Sequence, residues 1–306
     1  MPSKLTQKTE TDIIHNQKTP KKTQKKVEFS TKVEINAGNI GISHTSRILL
    51  LGSCFTDNIG QRMLAGGLEA TVNPWGTLYN PMSILEALTR PDDDFCRWSQ
   101  RVPAEPPQPD SYNLLILTFG TAYVFRLRES GRIVANCKKQ PGQLFCRQRL
   151  GVDEIVDAYS NFIDTHIVAC NQKLLLTVSP IRHRSDGMHA NQLSKAILLM
   201  AADILCNRYP DHVAYFPAYE IMMDELRDYR FYADDMLHPS PMAVEYIWQR
   251  FSTTYCDKHT RELICEFEKL NRTLAHRPTD AGSTEYQTLK STTEQRIKQL
   301  KHAIQN

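Results

Sequence analysis

The chain has 306 residues, 41% of them hydrophobic, with a formal net charge of +3 at pH 7. That is enough apolar material for one large or two small domains, and the near balance of charge argues against nucleic acid as a partner. The eight cysteines form no Cys-x-x-Cys pair and do not cluster with histidines at zinc spacing, so neither a metal nor another cofactor is expected.

Residues 1–28 are rich in Lys, Thr and Gln and poor in large apolar groups, which predicts a disordered basic tail. They hold no apolar stretch of signal-peptide type, and no run in the chain approaches 18 apolar residues. A cytoplasmic protein with reduced thiols and no membrane span is the resulting expectation.

The body then alternates strand-like and helix-like segments. "RILLLG" (47–52) reads as a buried strand, followed by a helix over "FTDNIGQRML" with Cys54 in its first turn. "NLLILTFG" (113–120) repeats the strand form, and "YVFRLRESGRIVAN" predicts a hairpin turning at Ser130-Gly131. A helix follows, with Ile155, Tyr159, Phe162 and Ile163 on one face. "KLLLTVSP" (173–180) is the third strand. The next helix places Leu193, Ile197, Ala201, Ile204 and Leu205 on its expected buried face, and "HVAYFP" (212–217) is a weaker fourth strand. Ser240 and Pro241 read as the N-cap and first position of a late helix. The expected division is a tail at 1–28, a domain at 29–262 and a charged helical extension at 263–306. Strand–helix alternation with apolar strands predicts an α/β fold, a mainly parallel sheet with helices on both faces.

In such a sheet function gathers where strands end. Cys54 follows the first strand at a helix N-terminus, where unpaired N–H groups and the helix dipole favour a thiolate. Far downstream, Asp235 precedes His238 by three residues, the pattern of a carboxylate orienting an imidazole base. His183 and Arg182 follow the third strand, as a second acid/base or substrate contact and as an anion contact.

These blocks resemble the SGNH (GDSL-type) hydrolase superfamily, and more closely the GSCFA family grouped with it. The similarity runs through "GSCFTDNIG", "NPWGTLYNP", "LTFGTAYVFRL", "VANCKKQP", "TVSPIRHRSDGMHANQLSKA" and "YFPAYEIMMDELRDYRFYADDMLHPSPMAVEYIW". It implies a three-layer fold and an acyl-ester chemistry. By position, Cys54 takes the nucleophile's place, with Ser53 as the alternative one residue earlier. Asp235 and His238 take the last block, and Gly76 and Gly120 the glycines of the oxyanion blocks. The superfamily's third-block asparagine falls on Ala122, beside which Thr121 offers a hydroxyl. The segment at 81–112 is shorter than the family pattern. Two functional classes result: a hydrolase or acyltransferase for a small-molecule or glycan-type ester, or a binding module for a polar ligand on the same fold. A scaffold using the charged C-terminal helices is a third.

Overall fold

The computed structural model describes residues 30–89, 91–276 and 283–305. The expected disordered tail at 1–28 lies outside them. The chain divides into units at 1–31 and 32–306, and every strand and helix among the described residues belongs to the second.

The main strands are β1 (Arg47–Gly52), β2 (Glu69–Val72), β3 (Leu114–Phe119), β7 (Lys173–Val178) and β8 (Val213–Phe216). They form one parallel sheet in the order β2-β1-β3-β7-β8. The registers are regular, with Leu50 opposite Ile116 and Leu117 opposite Leu176. The four expected strands are all present, each ending within a residue or two of its expected position.

Neighbouring residues of one strand face opposite layers. Leu49, Leu51, Leu115, Leu117 and Leu176 join one core with α2 (Pro81–Thr89), α4 (Val152–Phe162) and α5 (Met188–Arg208). Ile48, Leu50, Ile116 and Leu175 join the other with α1 (Cys54–Ala65), α7 (Pro241–Tyr255) and α8 (Lys258–Ala275). Both faces of the sheet are therefore covered, which is why β1, β3, β7 and β8 read as apolar runs, while the edge strand β2 does not. The short helices α3 (Asp93–Trp98) and α6 (Ala218–Glu220) lie in connections, and α9 (Thr284–Gln305) ends the described chain.

The hairpin forms where expected, with β4 (Tyr123–Leu127) antiparallel to β5 (Ile133–Val134) and Gly131 at φ +70° in the turn. It gains a third strand that the sequence does not announce, β6 (Phe145–Arg149), paired to β4 from Tyr123–Arg149 to Leu127–Phe145.

The expected face of α5 holds in part: Ala201 and Leu205 are buried and Ile197 and Ile204 pack half-buried against the core, but Leu193 is exposed, and Asn191, Ser194 and Lys195 continue the buried face in its place. The expected division at 262 falls inside α8, which runs on to bury Ile264 and Phe267 against the end of α1. A Cβ on Gly67 would stand 2.6 Å from the Phe267 ring, so that glycine admits the contact.

Gly52 explains the junction on which the site is built. Its φ is +151°, and a Cβ there would lie 2.4 Å from the Thr118 carbonyl oxygen. Gly52→Ala is expected to destabilise the fold by about 2 kcal/mol or more, because backbone cannot yield as a side chain does. Urea unfolding checks it; an unchanged midpoint contradicts the contact.

Candidate active site

β1 ends at Gly52, Ser53 caps α1, and Cys54 is the first helical residue. The Ser53 hydroxyl accepts the Phe55 N–H at 3.3 Å and donates to Ser179 Oγ at 3.1 Å. Ser53 is 1% exposed, whereas Cys54 is half-buried and reaches a cavity of about 630 Å³ at the C-terminal ends of β1, β3 and β7.

His238 arrives on a loop before α7. Ala233 N–H bonds the His238 carbonyl at 2.7 Å, and Met236 holds φ +60°. That left-handed turn lets one carboxylate oxygen of Asp235 accept the N–H groups of Leu237 and His238, both at 2.9 Å. The other accepts His238 Nδ1 at 2.5 Å. These backbone bonds first, and the imidazole bond after them, hold the Asp235 carboxyl down at about 2. An ionised carboxylate on Nδ1 fixes the tautomer that leaves Nε2 free to accept. Nε2 lies 3.5 Å from Cys54 Sγ.

The expected low thiol pKa is not found. Burial pushes Cys54 above its ordinary value, the Asp57 and Asp235 charges add to this, and the first-turn N–H groups only partly offset it. The resting group is a thiol facing a base. Iodoacetamide alkylation of Cys54 is therefore expected to climb with pH beyond 9; a fast plateau near pH 6 reveals a thiolate–imidazolium pair instead.

Four other expected residues line the cavity with these: Ser53, Thr121, Arg182 and His183. His183 gives its N–H to Asn191 Oδ1 at 2.9 Å, and its buried Nε2 has no partner. Burial first, then the Lys195 and Arg147 charges, pull it down to about 4, so it is neutral near pH 7 and supplies no charged acid. The glycine assignments need correction. Gly76 does not line the cavity, and its N–H bonds the Asn73 carbonyl at 2.8 Å inside a turn. The Gly120 and Thr121 N–H groups both bond the Tyr79 carbonyl, at 2.9 and 2.8 Å. Neither glycine offers a free donor. The Thr121 hydroxyl is 3.1 Å from Ser194 Oγ and accepts the Tyr123 N–H.

Several residues escape the sequence reading. Asn80 lines the same cavity as Cys54 and uses one amide hydrogen on Ser83 Oγ at 3.0 Å, leaving the second. Its place in "YNP" gives a turn signal only. Arg147 reaches the cavity from β6. Beneath the floor Lys195 is 1% exposed and donates to the Gly120 carbonyl at 2.6 Å and the Ser179 carbonyl at 2.7 Å. It ties the ends of β3 and β7 together, and Ser179 in turn holds Ser53. Burial pulls this amine down to about 7. Trp75, by contrast, is a core residue against Phe95, while Tyr79 stands edge-on to His183.

Among the described residues no group of three or more His, Cys, Asp or Glu side chains is placed to hold a metal, and no helix is long and apolar enough to cross a membrane.

No curated protein matches the chain. Among solved structures it is similar to a GDSL-like lipase from Bacteroides thetaiotaomicron, at 13% identity and TM-score 0.41, covering 69% of this chain and 87% of that one. It is similar also to a variant of an acetyl-xylooligosaccharide esterase from Geobacillus, at 10% identity and TM-score 0.42, covering 71% and 96%. A carbohydrate esterase family 3 protein from Talaromyces cellulolyticus is similar at 13% identity and TM-score 0.37, covering 72% and 99%. The sequence model of the GSCFA family matches residues 47–96 and 107–251, which span the sheet, Cys54, Asp235 and His238. The chain belongs to the GSCFA family.

Proposed function

We propose that this protein is an SGNH-like acyl-ester hydrolase or acyltransferase with Cys54 as nucleophile, His238 as base and acid, and Asp235 as the group that orients it. The observation that carries the reading is the line Cys54 Sγ–His238 Nε2, 3.5 Å, and His238 Nδ1–Asp235 Oδ2, 2.5 Å, at the edge of an open cavity.

The chemistry runs in two halves. Sulfur attacks the ester carbonyl carbon while its proton passes to His238 Nε2. The oxyanion gathers at the N-terminus of α1, where the Cys54 N–H has no helical partner and the dipole favours negative charge. The second amide hydrogen of Asn80 is the other candidate donor. Collapse breaks the carbon–oxygen bond, and the alcohol leaves with the proton from His238. The thioester on Cys54 then passes its acyl group to water or to a second alcohol, such as a sugar hydroxyl, with His238 again taking the proton. Ser53 is the weaker nucleophile because its hydroxyl is buried and engaged with Ser179 and the helix cap.

The engaged N–H groups of Gly76 and Gly120 favour a second reading, a binding module without turnover. An acid-quenched mixture with 4-nitrophenyl acetate separates the two. An acetyl mass increment on the Cys54 peptide, together with released 4-nitrophenolate, is expected. Neither signal, with an intact fold, leaves the binding module.

A further inference from the structure

The cavity carries charge of one sign. Arg147, Arg182 and Arg184 line it, and among the described residues no carboxylate does. Arg147 is paired with Asp186, and its guanidinium carbon lies over the Phe125 ring, 4.6 Å from its centre. Among the described residues Arg182 and Arg184 have no carboxylate partner, and Arg184 is exposed. Arg182 is held in place: its backbone N–H bonds the Leu237 carbonyl at 3.1 Å and its guanidinium bonds the Met236 carbonyl at 3.2 Å. The same guanidinium lies over the Tyr232 and Tyr229 rings, 5.3 and 5.7 Å from their centres, where Arg182 divides the cavity from a smaller neighbouring one. Only one of its five N–H donors is accounted for by that carbonyl, so a positioned fork remains open.

Its location has a direction. Met236 and Leu237 lead directly into His238, the group that hands a proton to the departing alcohol. Arg182 is fastened to the segment that carries the acid, so an anion held by it would belong to the alcohol portion of a bound ester. Tyr79, Thr121 and the β4–β5 hairpin form other walls.

We propose that Arg182 makes the leaving-group half of the cavity an anion site, so that the substrate is an ester whose alcohol portion carries a carboxylate or a phosphate. This rests on the acyl-ester reading above.

The test uses matched acetyl esters with the purified full chain: 4-acetoxybenzoate, 4-acetoxyphenyl phosphate and the neutral 4-acetoxybenzamide. At least one anionic ester is expected to exceed the amide in kcat/KM by about tenfold, since charge-assisted bidentate bonds are roughly twice as strong as neutral ones. Which anion leads separates carboxylate from phosphate. The preference is expected to shrink at high salt and to fall toward unity in Arg182→Gln. A purely structural arginine slows all three esters equally and leaves the ratio intact, which overturns the proposal. So does equal turnover of the three by the unaltered protein. A second measurement needs no turnover: 4-hydroxybenzoate or 4-hydroxyphenyl phosphate is expected to shield Cys54 from iodoacetamide better than 4-hydroxybenzamide does, and Arg182→Gln to remove the difference. Shielding of that kind without hydrolysis of any ester sustains the anion site and overturns the acyl-ester reading. Equal shielding by charged and neutral phenols overturns the anion site.

Discussion

Cys54→Ala is expected to abolish acyl-enzyme formation, and His238→Ala to slow it by about 10²–10⁴. The size reflects the state of the sulfur. Burial keeps Cys54 protonated, so without an acceptor at 3.5 Å the attacking thiolate must form unaided. Asp235→Asn tests the same line at its far end. The amide oxygen still accepts the Leu237 and His238 N–H groups, so the loop keeps its turn. It no longer offers a charged acceptor to Nδ1, and the tautomer with Nε2 as donor gains ground. A loss approaching that of His238→Ala is expected, with the fold retained. Single-turnover acylation measured by quenched-flow mass spectrometry reads all three variants. Retained acylation in His238→Ala removes the base from its role.

Lys195→Met is expected to lower stability by about 2–4 kcal/mol and to impair the site as well. The Gly120 and Ser179 carbonyls each lose a buried donor at about 1–3 kcal/mol apiece, and relief from burying an amine returns part of that. A neutral amine has two N–H hydrogens, which matches the two carbonyls. The ammonium's third has only the Tyr219 ring, 5.6 Å from Nζ to its centre. A pKa of about 7 in the fold, against 10.5 for the free side chain, fixes the sign of a pH effect. Between those values the unfolded chain holds a proton that the folded one lacks, so this group's contribution to stability grows as pH rises from 7 to 10.5. It is lost as pH falls through 7. Urea unfolding at several pH values is expected to show that slope in the unaltered protein and a shallower one in Lys195→Met. Equal slopes deny the amine its buried setting.

Four of the five sheet strands are legible in the sequence because both faces of the sheet are covered, which turns each into an apolar run closed by glycine or proline; the edge strand β2, Glu-Ala-Thr-Val and largely unburied, carries no such run. The pairing of Cys54 with Asp235 and His238 is legible by position, since both blocks fall beside elements with clear boundaries. The first two turns of α5 are not. They bury Asn191, Ser194 and Lys195 beneath the cavity, where these side chains hold strand ends and loops. A search for apolar spacing passes over such a stripe and rotates the helix toward Leu193. β6 escapes for a related reason. Only Phe145 of its five residues is buried, so no alternation marks it. The thiol's raised pKa and the engaged glycine N–H groups depend on walls and carbonyls supplied by distant segments. The spacing of residues in the chain carries no trace of them.

The protonated resting state of Cys54 has a consequence for survival in a hostile medium. Peroxides attack thiolates, and a sulfur that gives up its proton only as it attacks a carbonyl presents them with little to oxidise. Loss of free Cys54 thiol to hydrogen peroxide near pH 7 is therefore expected to be slow beside that of a permanently charged sulfur.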